Sequence, residues 1–196
     1  MGVPGGPEDD RSLVELAKRG DRESFGTLVR RHQDRAFNLA YQMVRNREDA
    51  LDVAQEAFAK AFASLQHFKG DASFATWLHR IVVNLAIDSL RRKQRGGETS
   101  YDDTRAAPEE QEVEPSSPDN PAEVLEAKQV RKLLARGIAG LPPAQRAVLV
   151  LREIEGMTYE EISRSVGCTL GTVMSRLFYA RRRLRQALRG CLGDLR

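Results

Sequence analysis

The sequence predicts an all-α protein: two small helical domains joined by a flexible acidic linker, the second domain a helix-turn-helix. Three observations carry this. Apolar residues recur at helical spacing almost everywhere, and no stretch alternates with period two. Residues 96–119 have no periodicity and are rich in Glu, Asp, Ser, Pro and Gly. The chain closes with a short helical stretch, a Gly-containing turn and a longer helical stretch. The divisions that follow are a disordered N-terminus at 1–10, a first domain at 11–95, the linker at 96–119 and a second domain at 120–196.

The first domain reads as four helices. A short one fits about residues 10–19, with Leu13 and Leu16 inward. Gly20 breaks it, and Asp21 is a good N-cap for the next. The second helix places Phe25, Leu28, Val29, His32, Ala36, Leu39, Ala40 and Met43 on one stripe. Asn46 marks a turn. The third helix has Ala50, Val53, Ala54, Ala57, Phe58, Ala61, Phe62 and Leu65 on its stripe. After a loop, His67 to Ala72, Ser73 caps a fourth helix bearing Phe74, Trp77, Leu78, Ile81, Leu85 and Leu90.

The linker holds too few large apolar side chains to offset its ordering entropy. Order resumes at Asn120-Pro121-Ala122-Glu123, where Asn caps, Pro takes the first helical position and Glu reaches back. This helix runs to about Ala139, with Val130, Leu133, Leu134 and Ile138 inward. Pro142-Pro143 opens another, with Ala147, Val148, Leu151 and Ile154 inward and Gly156 as its stop. Thr158 to Glu161 is a capping box for a short helix. Val166-Gly167-Cys168 turns the chain, and Thr169 caps the last helix.

Composition narrows the function classes. The chain has 196 residues, 41% hydrophobic and 30% charged, enough for one ordinary domain or two small ones. No apolar run nears the roughly 18 residues of a membrane span. The Gly/Pro-rich, acidic start lacks the layout of a signal peptide, so a cytoplasmic protein with no direct membrane insertion is expected. Cys168 and Cys191 form no CxxC, and His32, His67 and His79 are scattered, so no metal site and no cofactor is expected. Cys168 reads as a small buried filler more readily than as a redox site. No catalytic motif stands out, so no catalytic residue is assigned.

Charge is unevenly distributed. Of the net +3, residues 1–93 carry +2, residues 94–127 carry −8 and residues 128–196 carry +9. A basic C-terminal third is the footprint of a nucleic-acid binder or, less specifically, a solvated helix face. On the last helix, Val173, Leu177, Ala180, Leu184 and Leu188 pack inward. Thr172, Ser175, Arg176, Tyr179 and Arg183 fall on another face, whose first members can meet base edges in a major groove. Arg181, Arg182, Arg183 and Arg185 suit phosphate contacts. An ordinary helical hairpin with a basic face is the alternative. In the third helix, Asp49, Asp52 and Glu56 recur at spacings of 3 and 4 and form one acidic ridge, suited to a basic partner helix or simply to water.

Two long stretches carry a resemblance. LPPAQRAVLVLREIEGMTYEEISRSVGCTLGTVMSRLFYARRRLRQAL is similar to region 4, the minus-35 recognition domain, of the sigma-70 family of bacterial transcription initiation factors. RNREDALDVAQEAFAKAFASLQHFKGDASFATWLHRIVVNLAIDSLRRKQR resembles its region 2. The order and the intervening segment also match, and the nearer likeness is to the small extracytoplasmic-function (ECF), sigma-E-like branch. The resemblance implies a non-enzymatic sigma factor. It would bind core RNA polymerase through the β′ coiled coil and the β subunit, direct initiation at promoter DNA, and answer to an anti-sigma factor. Asp49, Asp52, Gln55, Glu56 and Phe58 match the family's DxxDxxQExF pattern, which implies the β′ contact. FKGDASFATWLHRIVVN resembles the element that reads and opens the minus-10 DNA. There Phe68, Lys69, Gly70, Asp71 and Ser73 match the loop that takes a flipped base. Arg80, Asn84 and Arg91 are expected on a face away from Trp77 and Ile81, to hold bases and phosphates. Trp77 and Phe74 are expected as core anchors. The implied minus-35 contacts are Thr172, Ser175, Arg176, Tyr179, Arg182 and Arg183. Met174 and Tyr179 depart from the basic residues many relatives carry. The open alternatives are a self-sufficient helix-turn-helix regulator, which needs neither ridge nor loop, and a polymerase-binding decoy, which needs no recognition face.

Overall fold

The computed structural model describes residues 7–95, 130 and 132–193 of the chain, and every regular element among them is helical. The first domain holds α1 (Pro7–Lys18), α2 (Arg22–Val44), α3 (Arg47–Ser64), a 3₁₀ turn (Leu65–His67) and α4 (Phe74–Arg95). The second holds α5 (132–139), α6 (Pro143–Glu153), α7 (Tyr159–Val166) and α8 (Leu170–Gly193). The acidic linker and the Asn120–Glu123 helix start lie outside the described residues.

Local sequence sets the helix ends. Asp21 accepts from the Glu23 N–H at 3.1 Å and from the Ser24 hydroxyl at 2.5 Å, and the latter bond holds its carboxyl below the usual range. Asn46 does more than turn the chain: its side chain caps α3 by accepting from the Asp49 N–H at 3.1 Å. Between these caps α2 ends on Arg45, a non-glycine residue at φ 60°, whose N–H bonds the Tyr41 carbonyl.

In the first domain α2, α3 and α4 pack on one another, with α1 laid across α2. Leu28, Leu39, Met43, Leu65, Leu78, Val82 and Val83 are fully buried. Each such aliphatic side chain contributes about 2 kcal/mol of burial. Phe68, Phe74 and Trp77 form an aromatic cluster at the open end, with centroids 5.0–6.3 Å apart. In the second domain α6, α7 and α8 close around Leu151, Ile162, Val173 and Leu177. Gly137 allows α5 to meet α8, since a Cβ there would come within 2.5 Å of Leu184 Cδ1.

Several expectations are corrected. α1 begins at Pro7, so residues 7–10 are helical rather than disordered, and Asp10 is buried against Arg31 and His32. Val14 and Ala17 are its inward residues, with Leu13 half-buried and Leu16 exposed. α1 packs mainly on α2, with the 3₁₀ turn and α4 beside it, and the i, i+3 pair Val14 and Ala17 faces them. Phe62 is exposed in the last turn of α3, its ring edge-on to Phe25 at 4.9 Å. Ile154 is exposed because α6 stops one residue before it and the stripe ends there. Val130 is exposed, two turns ahead of the Gly137 contact.

The two domains also touch. α2 and α4 pack against α6, and α4 packs against α7. The buried Arg146 guanidinium donates to the carbonyls of Met43, at the end of α2, and of Ala139 and Leu141. Two of these acceptors sit at helix C-termini, where the backbone dipoles favour a cation. Burial, with Arg45 nearby, lowers its pKa to about 10, so it stays charged at neutral pH. Glu155, between α6 and α7, accepts from Arg35 Nε at 2.7 Å, and its carboxylate stands 3.6 Å from Nδ1 of His79 on α4.

Candidate nucleic-acid and partner interface

Three surfaces gather the candidate residues. The first is on α3, where Asn46 starts the helix so that its apolar stripe faces inward. Asp52 and Glu56 are exposed on the opposite side, and Asp49 is half-buried beside them. Lys93 of α4 donates to Asp49 Oδ2 at 2.6 Å, and Lys60 pairs with Glu56 at 3.1 Å. Gln55 is exposed on the flank, and Phe58 is half-buried on the far side. The structure thus brings together Asp49, Asp52 and Glu56 as an acidic ridge, with Phe58 apart from it.

The second surface is the loop before α4 and the outer face of α4. Lys69, Asp71 and Ser73 are exposed, and Gly70 takes φ 79°, a left-handed turn that suits glycine. Ser73 caps α4 through its hydroxyl, 3.1 Å from the Thr76 N–H. Phe68 departs from expectation. It is 9% exposed, its ring packs 5.0 Å from Trp77, and Lys18 Nζ binds its carbonyl at 2.8 Å. It supports the loop from beneath and presents no stacking face. Phe74 is buried and Trp77 half-buried in the same cluster, as expected of anchors. Arg80, Asn84 and Arg91 are exposed along one stripe. Trp77 lies on that stripe rather than away from it, because 77, 80 and 84 are spaced by 3 and 4. Asn84 opens onto a shallow hollow shared with Lys60, His67 and Asp88.

The third surface is the helix-turn-helix. Thr158 and Glu161 form the reciprocal box that starts α7. Gly167 ends it at φ 63°, its N–H bonding the Ser163 carbonyl. The Ser163 hydroxyl then ties down the Cys168 carbonyl at 2.5 Å, and Thr169 caps α8 through the Thr172 N–H at 3.3 Å. Val173, Leu177 and Ala180 are buried, which fixes the rotation of α8. That rotation turns Ser175, Tyr179, Arg182 and Arg183 outward, with Thr172 and Arg176 half-buried among them. Arg181 is engaged elsewhere. Glu153 Oε1 accepts from its Nε and NH2 at 3.1 and 2.6 Å and raises its pKa, so Arg182, Arg183 and Arg185 are the freer cations.

One feature was missed in the sequence. Leu170, Met174 and Phe178 are exposed in a line, Phe178 at 62%. Their spacing of 4 and 4 is legible in the sequence, where Met174 stands out only as a departure from the basic residue many relatives carry. Met174 lies more than a third of a turn from the face of Ser175, Arg176 and Tyr179, toward a groove lined by Tyr159 and Leu177. Among the described residues no cluster of His, Cys, Asp and Glu is arranged to hold a metal ion, and no helix is long and apolar enough to cross a membrane.

Comparison with known proteins gives this geometry its setting. Residues 28–96 match the family model for sigma-70 region 2, and residues 131–184 match that for sigma-70 region 4. The RNA polymerase sigma-H factor of Pseudomonas aeruginosa is 37% identical over 189 residues, 95% of this chain and 97% of the relative. The ECF RNA polymerase sigma-E factor of Escherichia coli K12 is 38% identical over 173 residues, 88% and 90% of the two chains. Among solved structures, CnrH in complex with the cytosolic domain of CnrY superposes with a TM-score of 0.64 at 27% identity, covering 93% of this chain and 98% of that one. The sigma factor RpoE of Bartonella quintana shares the fold, with a TM-score of 0.65 at 22% identity over 85% and 98% of the two chains. With both halves matched in order and full-length relatives on either side of the same likeness, this chain belongs to the sigma-70 family of RNA polymerase sigma factors, in its ECF branch.

Proposed function

We propose that this chain binds core RNA polymerase and directs promoter-specific initiation, reading the minus-10 element with its first domain and the minus-35 element with its second. Sigma factors are non-catalytic initiation factors, and polymerase does the chemistry. The observation that carries the assignment of roles is the pairing of two outward faces on one domain: the acidic ridge of α3 and the Arg80–Asn84–Arg91 stripe of α4. A self-sufficient helix-turn-helix regulator needs neither. Asp49, Asp52 and Glu56, with Gln55 and Phe58 flanking, take the β′ coiled coil. Lys69, Gly70, Asp71 and Ser73 form the loop that receives an extruded base, with Phe68 holding the loop up. Arg80, Asn84 and Arg91 follow the single strand. Thr172, Ser175, Arg176 and Tyr179 meet the minus-35 groove, and Arg182 and Arg183 hold its phosphates. The protein works in the cytoplasm and is restrained by an anti-sigma factor. CnrH, solved in complex with the cytosolic domain of CnrY, is a precedent for a chain of this fold held by a protein partner.

The experiment is a polymerase pull-down with Asp49→Ala/Asp52→Ala. Capture of core polymerase should fall at least tenfold, while binding of the isolated chain to duplex DNA stays unchanged. Retained capture would remove the ridge from the polymerase interface.

A further inference from the structure

The contact between the domains is at odds with the work just assigned, on which this inference rests. The minus-35 and minus-10 elements lie about 25 base pairs apart, or about 85 Å at roughly 3.4 Å per base pair. A compact chain of this size is only about 40 Å across. With α4 packed on α7, the first helix of the helix-turn-helix, the two DNA faces cannot reach both elements. The domains must part before the promoter is bound.

We propose that the chain closes itself with a polar clasp in which Glu155 is the latch, and that this clasp is autoinhibitory without any partner protein. The Glu155 side chain is only 6% exposed. Both groups that approach its carboxylate, Arg35 on α2 and His79 on α4, belong to the other domain. Arg146 differs. It loses one carbonyl, that of Met43, when the domains part, and keeps those of Ala139 and Leu141 in its own domain. Opening therefore returns Glu155 to water and leaves Arg146 largely satisfied. The pair gains Coulomb energy but costs the buried Glu155 carboxylate its hydration, while Arg35 stays half exposed, so it holds the domains in register at small net stability. Such a latch is closed in the free chain and yields to a partner of ordinary affinity. Its position supports an inhibitory role, because His79 precedes Arg80, the first residue of the exposed stripe on α4.

The test uses the full chain in three forms: Arg35→Glu, Glu155→Arg and the two combined. Arg35 sits on the outer surface of α2, so its replacement leaves the domain core intact. Small-angle X-ray scattering without DNA or polymerase should give the wild type a radius of gyration near the ~16 Å of a compact chain. Each single variant should raise it by roughly a quarter or more, and the charge swap should restore it. Glu155→Gln should open the chain partly. With limiting protein and core polymerase, the open variants should raise promoter-specific transcription roughly three- to tenfold, as expected when the competent state is the minor one. Unchanged scattering by Arg35→Glu, or a swap that stays extended, would overturn the clasp. Opening without any gain in transcription would overturn its inhibitory role. Because the scattering involves neither DNA nor polymerase, it judges the clasp even where the promoter roles fail.

Discussion

His79 shows how one side chain can make the fold sensitive to acid. It is buried, only 3% exposed, and burial lowers its pKa to about 4, with the charges of Arg35 and His32 adding to the effect. The Glu155 carboxylate stands beyond hydrogen-bond distance and is already held by Arg35, so burial prevails. The unfolded chain takes up this proton near 6.5, so between about 6.5 and 4 it binds more protons than the folded one. Stability therefore rises with pH through that window and is lost as pH falls. Urea unfolding at pH 7.5 and 5 should differ by about 2 kcal/mol from this residue, and His79→Asn should flatten the difference. Phe68 makes a second prediction. Because its ring fills the aromatic cluster, Phe68→Ala should cost about 3 kcal/mol in chemical denaturation. Loss of minus-10 opening without that cost would return Phe68 to a DNA contact. The motif located Phe68 in sequence but not its depth, which depends on Lys18 and Trp77, 50 and 9 residues away in the chain.

At the scale of the helix, much of the architecture was legible because it is written locally. Asp21, Ser73, Thr158 and Thr169 each bond an N–H two or three residues onward, so their capping roles follow from residue type and spacing. Thr158→Ala should lower thermal stability by about 1 kcal/mol and loosen α7, read as faster amide exchange through Val166. On α8 the buried stripe sets the rotation, which is why Ser175 and Arg176 were placed correctly beside Tyr179. Arg176→Ala should cost about 1–3 kcal/mol of discrimination at one minus-35 base pair, measured by competition between promoter fragments, with polymerase capture unchanged. Equal weakening on all sequences would make Arg176 a phosphate contact instead. The elements misread were those whose neighbours lie far off in sequence. Leu16 and Ile154 sit on good apolar stripes, but nothing packs over them.

For the molecule as a whole, the two-domain plan and its charge asymmetry were readable, and the contact between the domains was not. Arg146 looks like one more cation in a basic third of the chain, and Glu155 like one more acid in a turn. Only the fold shows that Arg146 is buried, that the Glu155 side chain is covered, and that each is answered across the domain boundary. The family assignment supplies the partners, polymerase and promoter DNA, and the proposed roles of ridge, stripe and recognition helix would divide the work between the domains. If the proposed function holds, this chain makes polymerase start at particular promoters. The measurement that tests it most directly is in vitro transcription, adding the protein to bacterial core polymerase on a pool of promoter fragments. Start sites should appear only with the protein present and share a pair of upstream elements. No specific initiation, together with tight binding to duplex DNA in the absence of polymerase, would contradict it.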